Sequence, residues 1–272
     1  MASFRSRYRA ATDGEFRLKD HRTDDDSCFD GDKDDGLIRL EELRGELSAL
    51  QARLYAEGEQ RVLLVLQAMD AAGKDSTVRD VLRSTNPMGV HAYAFGRPSS
   101  EELAHDYLWR IHAHTPARGN INIFNRSHYE DVLVVRVNEL VPKSRWKRRY
   151  GHIRDFEQML VDEGVTIVKC FLHLSREEQA EQFQQRLDDP AKRWKFDPAD
   201  LEVRARWDDY MEAYEEAIRE TATADAPWYV IPADRRWYRK LAVAEILVHT
   251  LRDLDPQFPA EAEGLDDIEI AP

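Results

Sequence analysis

With 272 residues the chain can bury one sizeable core, and because α/β domains of this length often stay undivided, one domain is expected. A formal net charge of -13 excludes general affinity for nucleic acid or anionic membranes, which select a positive field. There is no run of about eighteen apolar residues and no apolar leader, and Cys28 and Cys170 sit in unlike surroundings, so a cytoplasmic protein with two free thiols is expected.

Residues 1–36 are polar, with an acidic patch from Asp24 to Asp35, and read as an irregular arm that is laid over the surface or partly disordered. Leu40, Leu43, Leu47, Leu50 and Leu54 then recur at spacings of three and four, which places them on the core-facing stripe of a helix. The run RVLLVLQAM over 61–69 is too short for a buried helix and reads as a buried parallel strand. It leads directly into Ala68-Met-Asp-Ala-Ala-Gly-Lys-Asp-Ser-Thr77, where a phosphate-binding loop belongs: after a strand and before a helix. The form is A-x-x-x-x-G-K-D, not the usual G-x-x-x-x-G-K-[ST]. Ala71, Ala72, Gly73, Lys74, Asp75 and Ser76 are expected to cradle phosphate through their backbone N–H groups, with Gly73 allowing close approach and Lys74 supplying a point charge. Asp75 stands where a hydroxyl normally meets Mg²⁺, so metal binding is expected to pass to Asp70, the carboxylate inside the loop.

HAYAF over 91–95 reads as the next strand, and the Phe95-Gly96 turn with Arg97 as a plain loop in preference to a nucleotide contact. INIF over 121–124 is a strand that ends abruptly in NRSHYED, residues 125–131. Ligands gather at the carboxyl ends of strands in an open α/β sheet, so Asn125, Arg126, Glu130 and Asp131 are expected to face the phosphate loop. Arg126 would neutralise charge on a moving phosphoryl group, and Glu130 would hold a metal or a hydroxyl. Asn125 or Ser127 equally suits a helix cap, and His128 reads as a locally packed residue. The stretch KSRWKRR over 143–149 carries five cations and no acid, which suits either a linear polyanion or a solvated helix face. Strands VTIVKCFLHL (165–174) and WYVIP (228–232) follow, with helical patterns at 101–113, 129–140, 144–162, 176–187, 200–220 and 235–254.

Between the last two strands, RLDDPAKRWK over 186–195 places four cations around Pro190. With the helical pattern behind it, to about residue 215, this segment reads as a mobile lid in which Arg186, Lys192, Arg193 and Lys195 meet the substrate. Trp194, Trp207 and Tyr210 read as core aromatics. Residues 37–254 form the domain and 255–272 an acidic tail. The alternation of strand and helix predicts an α/β, three-layer sandwich: a five-stranded parallel sheet with helices on both faces and a helical lid.

LQAMDAAGKDST, FNRSHYEDVLVVRV, FLHLSREEQ, RLDDPAKRWKF and APWYVIPADRRWYRK, occurring together and in this order, closely resemble the polyphosphate kinase 2 family from about Leu37 to Leu254. The resemblance implies a P-loop kinase and reversible, Mg²⁺-dependent transfer between inorganic polyphosphate and the adenine nucleotides AMP, ADP and ATP, with Mn²⁺ as a substitute metal and a homo-oligomer, dimer or tetramer, as the assembly. It assigns Asp70, Gly73 and Lys74 to the family's loop, Arg126 to its second motif, and Arg186, Lys192, Arg193 and Lys195 to its lid. The NRSHYED form resembles the branch that phosphorylates AMP as well as ADP. The same residues also suit an ATP-dependent nucleoside monophosphate kinase, or a sensor without turnover.

Overall fold

In the computed structural model, residues 3–263 together with 265, 268 and 270 are described. Five strands, β1 (Arg61–Gln67), β2 (Val90–Ala94), β3 (Ile121–Asn125), β4 (Val165–His173) and β5 (Trp228–Pro232), form one parallel sheet in the order β2-β3-β1-β4-β5. The α/β sandwich expected from the strand–helix alternation is therefore the observed architecture, with strand bounds within two residues of expectation.

The reason lies in β1. Val62, Leu64 and Leu66 point into one apolar layer, Leu63 and Val65 into the other, and all five are essentially inaccessible to solvent. A strand covered on both faces must be apolar at every position, which is why its sequence shows no alternation. The first layer holds α1 (Phe4–Tyr8), α2 (Lys33–Glu57), α3 (Lys74–Val81) and α11 (Arg236–Leu254); the Leu40–Leu54 stripe of α2 is buried against α11. The opposite layer is built from α5 (Trp109–His112), α6 (Val134–Val137), α7 (Lys143–Asp162) and α10 (Trp207–Thr221). The remaining helices, α4 (Ser100–Ala104), α8 (Arg176–Asp188) and α9 (Ala199–Ala205), lie after the carboxyl ends of strands.

Three departures from the sequence reading have local causes. The arm over 1–36 is not irregular throughout: α1 buries Phe4 and Tyr8 against Tyr238, and Ala10 N–H donates to the Trp228 carbonyl at 2.8 Å. An antiparallel bridge between Arg9 and Tyr229 covers the open edge of β5, which gives the arm a fixed place. The helical pattern at 101–113 is two helices, parted where the Asp106 carboxylate accepts from Leu108 N–H. The pattern at 129–140 opens instead as a 3-10 turn, His128–Asp131, whose cap is Ser127. Of the acidic tail expected over 255–272, residues 264, 266, 267, 269, 271 and 272 lie outside the described residues.

Beneath the carboxyl end of the sheet runs a buried charged network. Lys169 Nζ on β4 donates to Glu157 Oε2 at 2.5 Å, to Tyr129 Oη at 3.0 Å and to the Thr221 carbonyl at 2.9 Å, while His128 Nε2 meets Glu157 Oε1 at 3.2 Å. Burial alone would raise the Glu157 carboxyl, but the Lys169 charge and the His128 hydrogen bond outweigh it and hold it below its usual range. Removing one partner strands the other charge, so Lys169→Met is expected to cost about 3–5 kcal/mol in urea denaturation, whereas Lys169→Met with Glu157→Leu should recover most of it. His173, buried at the end of β4, is pushed down to about 4 by burial. Below its ordinary pKa of 6.5 the unfolded chain binds a proton that the folded chain refuses. Stability is therefore expected to fall between pH 6.5 and about 4, and His173→Asn should flatten that slope in pH-dependent thermal unfolding.

Candidate active site

The order β2-β3-β1-β4-β5 makes the loops after β1 and β3 part company. The first turns toward the α3 layer and the second toward the α7 layer, so a crevice opens between adjacent strand ends. A cleft of about 690 Å³ occupies it.

Its floor is the loop after β1. Gly73 caps α3 at φ 88° with no side-chain bond to the helix, which leaves the first N–H groups of α3 free for an anion. The positive φ asks for glycine here, and a Cβ at Gly73 would stand 2.4 Å from Arg239 Nη2 and displace that guanidinium. Lys74, the first residue of α3, folds back over the loop: its Nζ donates to the Ala68 carbonyl at 2.8 Å and the Met69 carbonyl at 3.3 Å, and only 8% of the residue is exposed. Burial, and then the neighbouring Arg126, lower its pKa, while Asp70, Glu130 and Asp75 oppose them. Ala71 lies in the left-handed region at φ 66° without being glycine.

Ala71, Gly73, Lys74, Asp75 and Ser76 line the cleft as expected, but Ala72 does not. The Ala72 N–H is already committed, donating to the Met69 carbonyl at 3.3 Å and closing a four-residue turn, and its methyl group is buried in the α3 layer. The run of N–H groups that the loop leaves free is therefore interrupted at this position.

Arg126, directly beyond β3, is also left-handed, at φ 62°, with its N–H donating to the Leu66 carbonyl of β1 at 3.1 Å. That turn aims its guanidinium at the phosphate loop, where Nη2 meets Asp70 Oδ1 at 2.5 Å. Asn125 Nδ2 donates to Asp75 Oδ1 at 2.6 Å. Asn125, Arg126, Asp70 and Asp75 all line the cleft. Glu130 stands behind that wall: Gln67 donates to its Oε1 at 3.0 Å and accepts from Ser127 N–H at 3.0 Å. Burial raises the Glu130 carboxyl against the opposing charges of Arg126 and Lys74. Asp131 is turned away to Arg149, 2.8 Å off, so Arg149 of KSRWKRR braces the chain behind the cleft, and no residue of that stretch lines it.

The far wall belongs to α8 and the segment after it. Arg186 donates to the Lys195 carbonyl at 3.2 Å and stands 3.6 Å from Asp200; Lys192 pairs with Asp189 at 2.7 Å. Arg186, Lys192 and Lys195 line the cleft. Arg193 does not; its Nε donates to the Leu187 carbonyl at 2.7 Å. Trp207 and Tyr210 are buried as expected, but Trp194 is 78% exposed at the rim, with Lys195 Nζ 5.0 Å from its ring centre. It sits in a short 3-10 turn with no buried residue, so the core reading fails for this one aromatic. Ser76 Oγ and Thr77 Oγ1 both donate to the Gly73 carbonyl, at 2.9 and 3.0 Å.

Several residues of the site were not singled out in the sequence. Arg239 on α11 supports the loop from below, donating from Nε to Thr77 Oγ1 at 3.0 Å and from Nη2 to Ser76 Oγ at 3.1 Å. Burial, and then Arg236, push it down to about 10. The signal was available as two cations three residues apart at the start of an otherwise apolar helix. Gln179 donates to the Asp70 carbonyl at 2.8 Å. Phe95 and Gly96, read as a plain loop, also line the cleft. In all, eight cationic side chains face it against four acids, in a chain of net charge -13. Among the described residues no group of three or more His, Cys, Asp and Glu is placed to hold a metal by itself, and no helix is long and apolar enough to cross a membrane.

Residues 30–259 match the profile of the family Polyphosphate kinase 2. The chain is 55% identical over 97% of its length to the AMP/ADP-polyphosphate phosphotransferase of Meiothermus ruber, of which it covers 99%. It is 48% identical to the ADP-polyphosphate phosphotransferase of Rhodopseudomonas palustris, over 78% of each chain. Its fold superposes on the crystal structure of a polyphosphate kinase 2 from Arthrobacter aurescens with a TM-score of 0.95 at 40% identity, covering 98% of this chain and 95% of that one.

The tight approach at Gly73 gives a direct test. Gly73→Ala is expected to lose about 1–2 kcal/mol from the left-handed backbone alone, and more from displacing Arg239, read as a lowered urea midpoint. A loss no larger than the backbone cost would show that the Arg239 guanidinium moves aside freely.

Proposed function

The chain belongs to the polyphosphate kinase 2 family, and on that premise we propose that it transfers the terminal phosphoryl group of inorganic polyphosphate to AMP or ADP, reversibly. The observation that carries this reading is the cationic cleft itself, centred on Lys74 and Arg126 in an otherwise acidic protein. A local positive well inside a repelling surface admits a thin linear polyanion or a nucleotide and discourages bulkier ones.

In the reaction a terminal oxygen of the nucleotide attacks the end phosphorus of polyphosphate. A new P–O bond forms as the bridging P–O bond breaks, and the donor leaves one phosphate shorter. Both partners are anions, so their mutual repulsion is the principal barrier, and catalysis consists of placing them in line and neutralising charge. The free N–H groups at the start of α3 and the Lys74 ammonium are suited to bind one phosphate chain across the loop. Arg126, held at the end of β3, is suited to the transferring group, and Arg186, Lys192 and Lys195 to the chain beyond it, with the segment carrying them closing as a lid. Arg193 would engage the donor only if that segment moved. Glu130 is suited to keep Arg126 and Lys74 in place electrostatically, since it stands behind the cleft.

A divalent metal, Mg²⁺ or Mn²⁺ in its place, fits these residues. Asp70 Oδ1 is taken by Arg126 while Oδ2 has no partner among the described residues, and such ions are commonly held by one or two carboxylates, water and the substrate's own phosphates. Asp70 would hold it; when bound, the ion supplies neutralising charge to the phosphate oxygens.

Incubation with AMP or ADP, Mg²⁺ and polyphosphate, without ATP, is expected to yield the next higher nucleotide. Absence of product, together with activity on AMP when ATP is supplied, would transfer the assignment to an ATP-dependent nucleoside monophosphate kinase. In the same assay Lys74→Ala and Arg126→Ala should each lose about 3 kcal/mol of transition-state stabilisation, roughly a hundredfold in turnover, while retaining the wild-type fold by circular dichroism.

A further inference from the structure

The segment proposed as a lid and the phosphate loop are joined by two side chains that do not line the cleft. Gln179, near the start of α8, is fully buried. Its Nε2 donates to the Asp70 carbonyl at 2.8 Å, and its Oε1 accepts from Arg204 Nη1 at 3.0 Å. Arg204 lies in the last turn of α9 and also donates to the Arg176 carbonyl at 2.6 Å, so it clamps α9 onto the first turn of α8.

The atom that Gln179 holds is well chosen. In a trans peptide the carbonyl of one residue and the N–H of the next point in opposite directions, and no peptide bond among the described residues is cis. Pinning the Asp70 carbonyl toward α8 therefore turns the Ala71 N–H away from α8. Ala71 lines the cleft and is left-handed at φ 66°, a conformation unfavourable for any residue with a Cβ and kept only where its surroundings impose it. The Ala72-to-Met69 bond does not impose it, because a four-residue turn closes with its central peptide, here Asp70–Ala71, in either of two orientations. No other side chain among the described residues donates to the Asp70 carbonyl.

We propose that Gln179 is a positioning residue: it fixes the Asp70–Ala71 peptide in the orientation that offers the Ala71 N–H to a phosphate, and through Arg204 it makes that orientation depend on where α9 sits. Loop and lid are then two parts of one device. When α9 is docked, Arg204 orients the Gln179 amide, the amide holds the peptide, and the loop is ready for an anion; when α9 departs, the strained peptide loses its support. The proposal rests on the reading of the cleft as a phosphate-chain site.

Gln179→Met keeps the length of the side chain and removes both bonds. Calorimetric titration with inorganic tripolyphosphate alone is expected to show affinity about tenfold weaker than wild type, the worth of one hydrogen bond to a buried carbonyl. The KM for polyphosphate should rise with it while kcat changes little. Ala71→Gly, added to Gln179→Met, is expected to restore most of the affinity, because glycine holds a positive φ without external support. Arg204→Met should weaken affinity in the same direction, and the Gln179→Met/Arg204→Met pair should be no worse than Gln179→Met alone. If Gln179→Met does not fold, Arg204→Met with and without Ala71→Gly carries the same test at a half-buried position. Unchanged affinity, additive losses, or a loss that Ala71→Gly leaves untouched would each overturn the proposal. Tripolyphosphate binding is read without turnover, so a wild type that binds the anion but makes no nucleotide would sink the phosphotransfer reading and leave the coupling itself measurable.

Discussion

The ion pair between Asp70 and Arg126, 2.5 Å apart across the ends of two neighbouring strands, sets the geometry on which the cleft depends. Each member stands at a backbone position that the chain adopts reluctantly: Arg126 is left-handed itself, and Asp70 precedes a left-handed alanine. Both distortions aim side chains inward where a regular strand exit would carry them past one another. The parallel ladder between β1 and β3, with Leu66 opposite Asn125, brings the two exits close enough to meet. What makes the strain tolerable is the rigidity below it: β1 and β3 buried on both faces, and a Lys169–Glu157–His128 network that ties β4, α7 and the NRSHYED turn together.

Electrostatics explains why so much arginine is spent on holding position. Lys74, Arg126 and Arg239 repel one another as surely as they attract phosphate, and without a ligand the cleft must be kept from flying apart. Asp70, Asp75 and Asp200 stand among the cations as internal counter-charges, and Glu130 acts from behind the wall. Their effect appears in Asp200, whose carboxyl is pushed up to about 6 by burial and by the charge of Asp70, although Arg186 pulls it down. An anion entering such a site displaces carboxylates from cations that are already placed, so little rearrangement is left for the reaction itself.

Much of this was legible in the sequence, for reasons that differ from element to element. β1, β4 and β5 were readable because burial on both faces leaves a largely apolar run, and the phosphate loop because its glycine–lysine turn stands directly after such a run. Arg126 was found by its place at a strand end. Ala72 was misassigned because two adjacent alanines look alike in sequence, while the turn exposes one and buries the other. Of the two readings of the arm, the surface-laid one agrees with its docking, which depends on a backbone bond to β5, Ala10 to Trp228, for which sequence spacing carries no sign. Trp194 was taken for a core aromatic because residue type alone does not say whether a partner covers the ring. KSRWKRR suited either a linear polyanion or a solvated helix face; Lys143, Arg145, Lys147 and Arg148 are exposed, while Trp146 and Arg149 are turned into the structure. Gln67, Gln179 and Arg239 escaped notice for a common reason: each acts through another residue, and a single amide or guanidinium in a helix or strand has no local pattern.

The aspartate at position 75 shows how one substitution in a loop is absorbed by its surroundings. The usual hydroxyl there would bond a metal; here the side chain is a carboxylate, and it accepts from Asn125 at 2.6 Å. The amide at 125 is what makes that contact neutral and attractive, since an acid in its place would set two carboxylates face to face and demand a proton or a cation between them. The nearby hydroxyls are committed as well. Ser76 and Thr77 both donate inward to the Gly73 carbonyl and accept from Arg239, so they stiffen the turn from inside and leave its outer face to N–H groups. The loop therefore presents backbone N–H groups and Lys74 to the cleft, and its side chains hold that backbone still. A loop organised in this way takes its shape from peptide geometry, which Arg239 on α11 and Gln179 on α8 support from opposite elements.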